Sequence, residues 1–352
     1  MSLGHTLTAA ILCGRNDAIE MLLTAGADVD AQNDQGLSAS LSAAIIRKDS
    51  RLVQRLLAAG ATVNGVYSFE EFRGESFLVS TTVLPAVVSW GDYSLIQDII
   101  NAGADVNVPN YPEGETALAV AIRRGDAMIV ELLINTGANV NSDAALLFGP
   151  TALEAASRNN GLGMVWFLLG LGADLDEWSL VEAVSGSVEL MQTLLVARLD
   201  RYHRYSKGYG CRALQHAINT KNANMVEVQL ANGIDANVII QRRLEDGPEL
   251  ESPKPGFPSR RPTIVFEVSA LGRAIEKDES NDLWIVQMLL NSRADPNSIV
   301  TDYFDYYYYR FQKRTALLIA IDCYNLATAK KLINAGADLN PGARLDISGT
   351  PL

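Results

Sequence analysis

Glu115 to Asn141 reads ETALAVAIRRGDAMIVELLINTGANVN, and the fold follows from this stretch. Thr116, Leu118, Ala121 and Ile122 put small and apolar residues at helical spacing, Gly125 and Asp126 interrupt them, and Ile129, Val130, Leu132 and Leu133 resume the pattern. The spacing predicts a helix, a tight turn and a second helix that stops at Gly137, where the chain needs a positive φ. Two helices this short cannot bury both apolar faces alone. The unit must stack on copies of itself.

Copies run along the chain, marked by their closing glycines: Gly26, Gly60, Gly103, Gly137, Gly172, Gly233 and Gly336. The steps from Gly26 to Gly60 and from Gly103 to Gly137 are 34 residues, and the step from Gly137 to Gly172 is 35. The closes read GADVD to Asp30, GATVN to Asn64, GADVN to Asn107, GANVN to Asn141, GADLD to Asp176 and GADLN to Asn340, with GIDAN to Asn237 and RADPN to Asn297 as weaker versions. The openings are HTLTAA from His5, ASLSAA from Ala39, TVLPAV from Thr82, TALAVA from Thr116, TALEAA from Thr151, RALQHA from Arg212 and TALLIA from Thr315. A repeat near 33 residues with a TxLxxA opening and a GADVN close resembles the ankyrin repeat. The resemblance implies an all-α solenoid of paired antiparallel helices with β-turn fingers, presenting a concave groove to a protein partner.

The expected repeats are 5–36, 39–66, 82–110, 116–142, 151–177, 178–200, 212–238, 269–298 and 314–341, in a single solenoid over 1–352. Insertions fall at 65–81, 238–262 and 298–313. The sixth repeat is irregular: LVEAVSGSVELMQTLL lacks a turn residue and ends without a GADVN close, with Arg198 where the stop glycine belongs. Its second helix is expected to run on, or the next finger to be irregular. The Gln241–Pro262 stretch, with five prolines and almost no large apolar residue, cannot offset its ordering entropy and is expected to be a mobile excursion. After Asn340 the chain reads PGARLDISGTPL, and GTPL opens another motif, so the sequence is expected to be a segment of a longer array.

Bulk composition excludes several functions. Formal net charge is −12, with 8 basic against 17 acidic residues up to position 150, hence −9 there and −3 beyond. Such a surface repels phosphate backbones and anionic lipid, so neither nucleic acid nor a membrane is the expected partner. Cys13, Cys211 and Cys323 are isolated thiols without metal-ligand spacing, which suits a reducing intracellular compartment, cytoplasm or nucleus. His5, His203 and His216 are far apart, and no phosphate-binding, zinc-protease or nucleophile-elbow motif occurs. No catalytic residue, cofactor or metal is therefore expected, nor a small-molecule substrate.

The partner-binding candidates follow from position and residue type. Trp90 lies eight residues after Thr82, where the other repeats hold Cys13, Arg47, Arg124, Asn159, Thr220 and Cys323. That mostly polar position faces the groove in the ankyrin family; the indole is either an interface anchor or is covered by the enlarged finger before it. Tyr67 and Phe69 sit in that finger, Tyr111 in the next, and Arg123 and Arg124 extend the same surface. Tyr307 and Tyr308 belong to a run with seven aromatics in the nine positions Tyr303 to Phe311, which reads as a self-packed hairpin or a binding loop. The expected function is a non-catalytic interaction module or scaffold. The alternatives are a regulatory or sensing segment of a larger signalling protein, binding in cis, and an enzyme whose site lies between finger insertions.

Overall fold

Thr, Asp and Asn at the predicted helix starts do what their side chains allow, and the paired helices form. The computed structural model describes residues 3–30, 40–64, 82–109, 114–142, 149–202, 208–243, 265–277, 283–305 and 310–340. The contacts divide the chain into two units, Met1–Asp174 and Leu175–Leu352.

The first unit is a succession of helix pairs: α1 (Leu3–Leu12) with α2 (Asn16–Thr24), α3 (Ser40–Ile46) with α4 (Ser50–Ala58), α5 (Val83–Val88) with α6 (Tyr93–Asn101), α7 (Ala117–Arg124) with α8 (Ala127–Asn135), and α9 (Ala152–Arg158) with α10 (Leu162–Gly170). The first, or inner, helices α1, α3, α5, α7 and α9 pack on one another in that order, and the outer helix α4 lies against α6. The leucine of each TxLxxA opening, Leu7, Leu41, Leu84, Leu118 and Leu153, is buried in this stack. Full burial of one leucine is worth about 1.5–3 kcal/mol, so five in register outweigh the weak helix propensity of six- to ten-residue segments.

Caps set the phase of each pair. Thr116 accepts from the Ala119 N–H at 3.2 Å, and Thr151 accepts from Glu154 in a full capping box. Asp49, Asp92 and Asp126 cap the outer helices, accepting from Leu52, Leu95 and Ile129. Gly137 closes its repeat at φ +98°, in the left-handed region the sequence demanded.

The polar GADVN close is a hydrogen-bonded ladder. Asn64 Nδ2 donates to the Gly103 carbonyl at 2.8 Å while its Oδ1 accepts from the Asp105 N–H at 2.8 Å. Asn107 spans in the same way to Gly137 and Asn139, and Asn141 to Gly172 and Asp174. One side chain thus satisfies a donor and an acceptor of the next turn, which aspartate, accepting only, cannot do. Two residues before each rung, Asp105 and Asn139 accept from the rung's own N–H, a local Asx turn. The repeated acidic residues are turn and cap groups.

The second unit begins where that pattern changes. Asp176, placed to be a rung, instead caps α11 (Glu177–Ala183), accepting from the Ser179 N–H at 2.7 Å. Its partner α12 (Val188–Tyr202) runs for 15 residues, as expected of a helix without a stop glycine. Arg198 fills that glycine's place: its Nη1 donates to the Leu175 carbonyl, and its guanidinium lies 4.0 Å from the Tyr202 ring and 4.4 Å from the Tyr209 ring. Then follow α13 (Cys211–Asn219) with α14 (Ala223–Ala231), α15 (Ala270–Lys277) with α16 (Trp284–Asn291), and α17 (Ala316–Asp322) with α18 (Leu326–Asn334). The rungs resume at Asn237 and Asn297. Arg293 stands for the stop glycine of one pair at φ +66°.

Two of the expected insertions carry strands, which helical periodicity could not show. β1 (Ile239–Arg243) pairs antiparallel with β2 (Val265–Ser269), from Ile239 opposite Ser269 to Arg243 opposite Val265. β3 (Ile299–Asp305) pairs with β4 (Arg310–Thr315), from Ile299 opposite Thr315, with an irregularity between Tyr303 and Asp305. β2 lies beside β3. The architecture is an all-α solenoid type with these two hairpins added at its fingers. Of the proline-rich stretch, residues 241–243 belong to β1 and the rest lie outside the described residues.

Candidate protein-interaction surface

Inner helices α3, α5, α7 and α9 end in a row of side chains, and the backbone at the ends of α5 and α7 is held from the next repeat. Trp90 follows α5 and is half-buried; its N–H donates to the Val87 carbonyl at 2.9 Å. Arg124, one repeat on, donates from Nη1 to the Ser89 carbonyl and from Nη2 to the Trp90 carbonyl at 3.5 Å. Asn159, one repeat further, donates from Nδ2 to the carbonyls of Ile122 and Arg123 at 2.8 and 3.0 Å. The Arg124 and Asn159 side chains therefore each reach carbonyls at the end of the preceding inner helix, groups that no i+4 amide reaches.

The arginines differ in their ties. Arg123 makes a two-point contact with Glu115, Nε to Oε1 at 3.0 Å and Nη2 to Oε2 at 2.8 Å, with 43% of its side chain exposed. Arg47 after α3 is exposed, and its guanidinium lies against Gly14 in the previous turn, as that of Arg124 lies against Gly91. Ile46 beside it is 47% exposed, and Arg158 at the end of α9 is exposed. Ile46, Arg47 and Arg158 join this surface without having been singled out in the sequence; the signal was their place seven or eight residues after each motif start.

Of the expected partner-binding residues, Trp90, Arg123 and Arg124 fall on this one surface, brought together by α5 and α7. Tyr67, Phe69, Tyr111, Tyr307 and Tyr308 lie outside the described residues. A second apolar feature appears on the outer helix α10, where Trp166 is 57% exposed and Phe167 44%.

Elsewhere the chemistry is quiet. Among the described residues no cluster of His, Cys, Asp and Glu could hold a metal ion, and no helix is long and apolar enough to cross a membrane. His216 is half-buried on α13. The Cys211 thiol is pushed up to about 11 by burial and by its hydrogen bond to Glu177, Sγ to Oε1 at 3.2 Å, so it is a protonated thiol at neutral pH. In the second unit a shallow concavity of about 450 Å³ is lined by Val184, Ser185, Thr220, Lys221, Asn222, Ala223 and Asn224, with Lys221 its only ionisable group.

Helix pairs, glycine stops and asparagine rungs in register are what a family comparison would have to account for, and residues 84–177, from α5 to the start of α11, match the family model for ankyrin repeats in three copies. That segment is similar to ankyrin repeats. No curated protein matches the chain. The matched segment contains Trp90, Arg123, Arg124, Arg158 and Asn159, so the candidate surface is built largely within the ankyrin repeats that the match covers. Ankyrin repeats are in general protein–protein interaction modules.

Proposed function

We propose that this chain is a non-catalytic interaction module or scaffold that binds a partner protein through the inner-helix face of repeats two to five. One observation carries the reading: Trp90, a large apolar side chain at a position that is otherwise mostly polar, is held on a backbone pinned by Arg124. A half-buried tryptophan on a rigid support is the kind of anchor that dominates interfaces, because little ordering entropy is lost when a partner covers it. Tyr67, Phe69 and Tyr111, expected in finger segments from the sequence, are proposed as further contacts. Cys13 and Cys323, both exposed thiols, favour an intracellular setting, the cytoplasm first.

The test compares capture from native cells by the intact chain, by Trp90→Ala and by an outer-helix variant, Trp166→Ala. A protein retained by the intact and Trp166→Ala chains but lost with Trp90→Ala supports the reading. Loss only with Trp166→Ala moves the partner to the outer helices and overturns it.

A further inference from the structure

The ends of the inner helices hold four of the nine Lys and Arg residues of their unit. Seven and eight residues after the motif start, the first five repeats hold Leu12 and Cys13, Ile46 and Arg47, Ser89 and Trp90, Arg123 and Arg124, and Arg158 and Asn159. None of these ten positions is acidic, in a unit whose first 150 residues have a net charge of −9, and four of them are arginine. The helix dipole favours cations at any helix C-terminus. It does not explain the pattern, because α2, α6, α8 and α10, the outer helices of the same unit, have no basic residue in their last turn, and only α4 has one, Arg55. At the helix ends of this unit, basic residues are more frequent on the inner helices than on the outer ones.

Arg124 also retains donor capacity. Arg124 has five N–H donors and spends them on two neutral carbonyls, which leaves its positive charge uncompensated there. Arg123 is offset by Glu115, while Arg47 and Arg158 are exposed to solvent at the two ends of the row. Ile46, 47% exposed, and half-buried Trp90 form an apolar strip inside that row. A long polyanion such as nucleic acid would meet the acidic remainder of the unit, whereas a short acidic segment meets only the row.

We infer that the row Arg47, Trp90, Arg123, Arg124 and Arg158 docks an acidic segment of the partner protein, with an apolar side chain of that segment seated against Ile46 and Trp90. The inference rests on the proposal that this face is the partner surface, and it adds the chemistry of the partner.

Display of random peptides, about 12 residues long to match a row of four repeats at roughly 10 Å each, tests it on the intact chain. Peptides whose binding is lost with Trp90→Ala are expected to carry more Asp and Glu than the starting library. They should bind Arg47→Gln/Arg158→Gln about tenfold more weakly, recover on Arg47→Lys/Arg158→Lys, and weaken as salt is raised. The lysine pair keeps the charge, so recovery separates charge recognition from a folding defect, which a melting curve of each variant checks. Trp90-dependent peptides with no acidic excess, or a Trp90-dependent preference for a labelled oligonucleotide over the acidic peptides, overturn the inference and leave the groove reading standing. Selected peptides that are all indifferent to Trp90→Ala bring down the groove reading itself.

Discussion

The Arg124 side chain donates to the main-chain carbonyl of Trp90 at 3.5 Å, across the boundary between two repeats, and its Nη2 lies 2.2 Å from where a Cβ on Gly91 would stand. The turn residue after Trp90 is thus glycine for two reasons, a φ of +78° and the guanidinium that lies over it. Gly125 occupies the same turn position one repeat later, at φ +74°, with nothing near its missing Cβ.

Gly91→Ala is therefore expected to cost more stability than Gly125→Ala. Both pay for the left-handed backbone, about 1 kcal/mol or somewhat more, but only Gly91→Ala displaces a charged donor from two carbonyls, adding about 1 kcal/mol. In an Arg124→Ala background the excess should vanish. Urea denaturation of the four proteins measures it, and equal costs for the two glycines would show that the guanidinium contact contributes nothing.

The asparagine ladder gives a second expectation. Asn107→Asp keeps the acceptor for the Asn139 N–H and removes the donor to the Gly137 carbonyl, so it should lose about 1 kcal/mol, as a single hydrogen bond is worth. Asn107→Ala loses both contacts and should lose more. If aspartate and asparagine proved equally stable at neutral pH, the donation to the carbonyl would carry no weight.

Cys211 provides a pH test. Burial and the bond to Glu177 raise its pKa from 9.0 to about 11, which disfavours the thiolate in the folded chain. The folded state then holds a proton that the unfolded state gives up, so stability from this group is full below pH 9 and falls as pH rises from 9 to 11. Exposed Cys13 and Cys323 should react with iodoacetamide at pH 8 well before Cys211, read by mass spectrometry of each cysteine-bearing peptide. Preferential labelling of Cys211 would contradict the assignment.

Irregular spacing at the sixth repeat leads to an expectation about dynamics. Stability in a repeat array sums unit and nearest-neighbour terms, and α11 with α12 lacks both the stop glycine and the asparagine rung. Arg198, stacked between Tyr202 and Tyr209, offsets part of that loss. Hydrogen exchange should be fastest in this pair. Uniform protection from Leu153 to Leu230 would sink the idea.

Helix pairing, stop glycines and the run-on of α12 were all legible in the sequence, because a 3.6-residue apolar period and a repeated GADVN signal are local. The hairpin β1–β2 was not, since IIQRR has no cue of its own beyond its distance from a helix pair, whereas a hairpin at β3–β4 was one of the two readings of the insertion before α17. At the candidate surface, Trp90 could be picked out by residue type. Arg47 held the same motif position in the sequence, but only stacking shows that its guanidinium lies over the turn of the repeat before and that Ile46 beside it is exposed. The use of asparagine rather than aspartate as the rung was equally silent, as it depends on a carbonyl about 30 to 60 residues away in sequence.

Trp90 decides where the partner sits. Its side chain is half-buried in the free chain, so part of its surface already rests on its own repeat and part is available to a ligand. Trp90→Ala should weaken partner binding by more than about 1 kcal/mol, as truncation of an interface anchor does, while shifting the melting temperature little. A loss of several kcal/mol in the free protein would instead make the indole a core group, since that is the range for emptying a buried aromatic site. The Tyr307→Ala/Tyr308→Ala variant is the control for position. A compact partner seated at Trp90 should bind this variant normally. Abolition of binding by the tyrosine pair alone, with Trp90→Ala neutral, would place the partner at the finger before α17 and remove it from the face of repeats two to five.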